Sequence, residues 1–159
     1  MIKKSIIGIL VIATCIMALT TAYFAKQNID LNNKITSIEE RIMFQQLRSL
    51  MLSLDDIENE LGKKDIDQTK LKDSLPKLEV ISFMDEDVNR SYQVFIQTLN
   101  KNLNYITSDD HNLEKSSSLH DSIEDINIQL GEILYPQNTS FDTNNKHIIE
   151  IFENFVNDF

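Results

Sequence analysis

The chain has 159 residues with 15 basic and 25 acidic side chains, a formal net charge of −10. The charge is unevenly placed: Lys3, Lys4 and Lys26 give the first 27 residues +3, and 12 basic groups against 25 acidic ones leave −13 on the rest. Such a surface excludes a nucleic-acid binder, which needs a basic face for phosphate, and disfavours a peripheral grip on anionic lipid.

Ile6 to Ala25 is a run of twenty uncharged residues, enough at about 1.5 Å per residue to span roughly 30 Å of hydrocarbon. The reading is a signal anchor over 1–27, with Ile6, Ile7, Ile9, Leu10, Val11, Ile12, Ile16, Met17, Leu19 and Phe24 as membrane-spanning residues. The denser positive flank stays inside. That predicts a single-pass protein of the inner, cytoplasmic membrane, N-terminus in, with residues 28–159 periplasmic or otherwise extracytoplasmic. Thr20-Thr21-Ala22 also offers small residues for cleavage after Ala22, which would make the protein secreted. A lipoprotein reading at Cys15 is weaker, because Thr14 suits the preceding position poorly. Cys15 is the one cysteine, so residues 28–159 hold no disulfide.

From Leu31, apolar residues fall at 31, 35, 38 and 42, then 47, 50, 54, 57 and 61, spacings of three and four that predict a helix over about 28–61. A two-position seam suits a coiled coil, but Met43, Phe44, Met51 and Leu52 widen the face in mid-helix, as a bundle requires. Gly62 reads as the residue closing that helix. A second helix over about 66–82, capped by Asp65 or Asp67 and carrying Leu71, Leu75 and Leu78, is expected to break near Pro76. Val80 to Phe83 passes locally for a strand, without a partner strand.

Asp85-Glu86-Asp87 opens a helix over about 86–107 bearing Val88, Tyr92, Phe95, Leu99, Leu103 and Ile106. Thr107 to Asp110 make the next turn and cap. Leu119, Ile123, Ile126, Leu130 and Leu134 line a helix over about 110–135, ended by Pro136. Asp142 or Thr143 caps a last helix over about 143–158. There Ile148, Ile149, Ile151, Phe152, Phe155, Val156 and Phe159 share an arc of roughly 160°. Such a face must pack on protein: its own bundle first, otherwise a partner's groove, with Phe152, Phe155 and Phe159 as the partner-binding candidates. The fold expected is all-α, an N-terminal transmembrane helix followed by an antiparallel bundle of about four helices.

Chemistry is sparse. Asp109, Asp110, His111 and Glu114, with His120, come nearest to a metal cluster, yet match no zinc or calcium spacing and read as caps and surface groups. His120 and Glu124 read as a surface pair four apart. No G-x-S-x-G elbow or glycine-rich phosphate loop occurs. Asn89-Arg90-Ser91 and Asn138-Thr139-Ser140 match the glycosylation triplet, relevant only in a eukaryotic secretory path. No metal, no cofactor, no nucleic acid and no enzymatic activity are expected.

The function expected is a non-enzymatic, membrane-anchored extracytoplasmic helical protein, an interaction or scaffold subunit of an envelope complex with a protein partner. One alternative is a ligand-sensing domain. The layout resembles chemoreceptor and sensor-kinase input domains, with Arg48 as an anion contact, although no second apolar segment follows residue 27. A lesser alternative resembles phage-type envelope lysis proteins of the spanin kind, which the acidic surface fits poorly. The residues support no family assignment.

Overall fold

Apolar side chains recurring every three or four residues leave few ways to bury them except as packed helices. In a computed structural model the chain forms five: α1 (Ile2–Leu61), α2 (Gln68–Glu79), α3 (Glu86–Ile106), α4 (Leu113–Leu134) and α5 (Asn145–Asp158). The structure describes the backbone of residues 2–107, 113–136 and 145–159, and side chains from Thr14 onward except 108–114 and 137–144. The expected cap and metal-like residues Asp109, Asp110, His111 and Glu114, the Asn138 triplet, and the caps Asp142 and Thr143 lie outside the described residues. All-helical character holds, with no strand among the described residues.

The chain divides into two compact units, residues Met1–Glu39 and Glu40–Phe159. In the first, α1 is helical with its described side chains exposed. The membrane-spanning anchor expected over 1–27 is corrected here: among the described residues, no helix is long and apolar enough to cross a membrane. Ile6, Ile7, Ile9, Leu10, Val11 and Ile12 lie outside the residues whose side chains are described. The single-pass inner-membrane placement, and with it the orientation that put residues 28–159 in the periplasm, rested on that span and falls with it.

The second unit is a helical bundle. Leu47, Leu50, Leu54 and Ile57 on α1, Leu78 on α2, Tyr92, Phe95 and Leu99 on α3, Leu119, Ile123 and Leu130 on α4, and Ile148 and Phe152 on α5 are completely buried. Directions follow from the contacts. Glu58 meets Asn127, Phe44 meets Tyr135 and Gly62 lies against His120, so α1 and α4 run antiparallel. Asn145 meets Asp85, Phe152 meets Tyr92 and Phe155 meets Phe95, a constant offset of 60 residues that makes α3 and α5 parallel.

Local chemistry places the ends. The Asp67 carboxylate accepts from the N–H groups of Thr69 and Lys70 and caps α2. Asp85 does the same for α3 through Asp87 and Val88, with Glu86 and Asp87 in the first turn. Pro76 does not break α2; it lies inside the helix. It is exposed and near the C-terminal end, where the one carbonyl deprived of its N–H partner belongs to exposed Lys72, and buried Leu71, Leu75 and Leu78 hold the turn on the core. Val80 ends α2 as its cap in the right-handed helical region, and Ile81 to Phe83 form the linker to α3: Ile81 and Phe83 are buried, Val80 and Ser82 exposed. That alternation is the strand-like signal, and the linker pairs with no strand among the described residues.

Gly62 follows α1, its N–H on the Glu58 carbonyl at 3.0 Å. It is not in the left-handed conformation expected of a closing glycine. A Cβ there would come within 3.2 Å of His120 Nε2, so glycine serves the close approach of α4.

Candidate functional site

The sequence-derived site residues fall in two places. Phe152 and Phe155 are buried in the α3–α5 interface, and Phe159 is half-buried beside them. The rings of Phe83, Tyr92, Phe95, Phe152, Phe155 and Phe159 form a continuous stack, with neighbouring centroids 4.8 to 6.1 Å apart, the edge-on and offset contacts that aromatic quadrupoles favour. Burial pushes the Tyr92 phenol well above its ordinary pKa, and its O–H donates to the Leu78 carbonyl at 2.7 Å. Phe152 and Phe155 are therefore buried inside the bundle, and Phe159 keeps part of its ring in solvent.

Ile16, Met17, Leu19 and Phe24, assigned to the membrane from the sequence, are exposed side chains of the first unit. They share that exposure with Tyr23, Ile29, Leu31, Ile35 and Ile38, so among the described residues nine of the sixteen large exposed apolar side chains lie between residues 16 and 38.

The titratable groups offer less. Glu60 is buried near the end of α1: its carboxylate accepts from Lys63 Nζ at 2.6 Å and from the Asp67 N–H at 2.9 Å. The Lys63 contact first, then the Asp67 N–H, hold its pKa below the ordinary carboxylate value. The arrangement pins the turn between α1 and α2 and leaves the carboxylate no free face for catalysis. His120, Asp121 and Glu124 bring one ligand-capable atom each within 4.8 Å of one another, but the two carboxylates are exposed. His120 Nδ1 lies 3.3 Å from Asp121 Oδ1.

Two grooves flank α5. One, of about 600 Å³ between α4 and α5, is lined by serines and by Asp121, Asp125 and Asp158. The other, about 420 Å³ between α3 and α5, includes Arg90 and Glu153. Arg48 is exposed and outside both. Asn89 Oδ1 accepts from the Phe83 N–H at 3.0 Å, so the first glycosylation triplet has its asparagine engaged in holding the linker to α3.

Fold and site thus define a class, an acidic helical bundle with one solvent-facing apolar helix segment. Compared with known proteins, the chain matches no family model, no curated protein and no solved structure. What it does must be argued from its own surface.

Proposed function

We propose that the chain is a non-enzymatic interaction protein, a scaffold subunit whose docking element is the segment of α1 before Glu39. The observation that carries this reading is the concentration of exposed large apolar side chains between Ile16 and Ile38. Contiguous apolar surface of this kind on a folded chain marks a contact surface. The second unit, by contrast, buries a large apolar core and scatters its exposed large apolar side chains from Leu52 to Tyr135, and its clearest polar cluster, at Glu60, is a structural clasp. The ligand-sensing and lysis alternatives gain nothing comparable: Arg48 stands outside both grooves beside α5.

Photo-crosslinking in the native cell tests the reading. Benzoylphenylalanine in place of Ile35 is expected to yield a discrete protein adduct, and the same probe in place of exposed Lys101 none. No adduct at Ile35 overturns the reading.

A further inference from the structure

The exposed apolar residues of the first unit carry a period. Met17, Phe24, Leu31 and Ile38 are seven residues apart, and Ile35 lies four after Leu31 and three before Ile38. A period of 3.5 residues is the signature of a left-handed coiled-coil seam. With Met17, Phe24, Leu31 and Ile38 at heptad position d, position a is Thr21, Asn28 and Ile35. Exposure of the apolar members runs from 45% at Ile35 to 67% at Met17. Met17 to Ile38 covers three heptads, apolar at every d position and, among the a positions, at Ile35.

We propose that this seam is covered by a second copy of the chain, parallel and in register. The inference rests on the reading of this segment as the docking element and names its partner. Charge complementarity selects the parallel copy. In a parallel pair, position g faces the partner's position e five residues on. Lys34 is a g residue and Glu39 the e residue five further along, so two copies make two symmetric Lys–Glu contacts. An antiparallel pair sets g against g and e against e, and loses both. Asn28 selects register: a polar asparagine at one a position pairs with its own equivalent and specifies alignment at some cost in stability. A self-complementary pattern closing on a two-fold axis needs no other protein.

Sedimentation equilibrium of the full chain at micromolar concentration is expected to give twice the 18.4 kDa chain mass. Ile35→Asp with Ile38→Asp should return it to a single chain, with the far-UV circular dichroism and melting of the second unit retained, because neither side chain belongs to its core. Lys34→Glu should raise the dimer Kd about tenfold, and Lys34→Glu with Glu39→Lys should restore it. In a Cys15→Ser background, Leu31→Cys should oxidise to a covalent dimer. A single-chain mass for the unaltered protein, a dimer indifferent to the two aspartates, or a charge swap that fails to restore binding overturns the proposal. So does a single chain that co-floats with phosphatidylcholine vesicles, which would make lipid the cover. A photo-adduct at Ile35 with a different protein defeats this inference and leaves the interaction reading standing; no adduct defeats both.

Discussion

Two buried polar groups make the sharpest single-residue predictions. Glu60 is held below its ordinary pKa by Lys63 and by the Asp67 N–H, so its folded pKa lies under its unfolded one. The stability it contributes is then complete above the unfolded value of roughly 4.3 and is lost as pH falls through the folded value. Glu60→Gln should lower the melting temperature at pH 7, and the gap to the unaltered chain should close as pH drops below about 4. A gap independent of pH would refute the clasp. Tyr92 shifts the other way, its phenol raised by burial. The folded state favours the protonated ring, so stability is lost as pH rises above about 10. An alkaline titration followed by absorbance should show one of the four tyrosines ionising only with unfolding. Tyr92→Phe should cost about 0.5–1.5 kcal/mol and leave the ring stack intact. The cost is a single hydrogen bond, since the Leu78 carbonyl keeps the Ile81 N–H at 3.0 Å.

At the scale of an element, α5 is the test case. Ile148, Ile151, Phe152 and Phe155 are buried, with Phe152 and Phe155 against Phe95 of α3, and removing them opens the aromatic cluster of the bundle. Truncation after Asn144 should abolish cooperative thermal unfolding or cause aggregation. Phe152→Ala alone should cost about 3–5 kcal/mol. A truncated chain that melts like the full one would show the bundle complete without α5. α3 depends on its cap: Asp85 accepts from two backbone N–H groups and from Asn145 Nδ2 at 2.9 Å. It therefore fixes the start of α3 and of α5 together, and Asp85→Ala should cost at least the roughly 1 kcal/mol of an ordinary cap.

For the whole molecule, the two units are expected to separate. Residues 40–159 hold every member of the buried core cluster and should fold alone, mainly helical by circular dichroism, with a melting temperature unchanged by chelation. A strand-dominated spectrum, or a transition lowered by EDTA, would refute this. Its 23 acidic against 11 basic side chains should keep that fragment soluble near neutral pH.

Helix periodicity was legible in the residues themselves because burial on a helix recurs every three or four positions: Leu47, Leu50, Leu54 and Ile57 are spaced for one buried face and are buried together. The caps were legible for a similarly local reason, a carboxylate within two or three residues of the N–H groups it accepts from. Position in space was not. The apolar arc of α5 looked the same whether it faced its own bundle or a partner, and only packing against α3 decided that Phe152 and Phe155 are core. Pro76 looked like a break, but a helix end docked through Leu71, Leu75 and Leu78 tolerates one lost hydrogen bond. Gly62 looked like a backbone need, and a ring from α4, 58 residues later in the chain, turned out to be the reason. Local sequence sets which residues recur on one face; which surface that face meets is a long-range free energy, settled only when the helices pack.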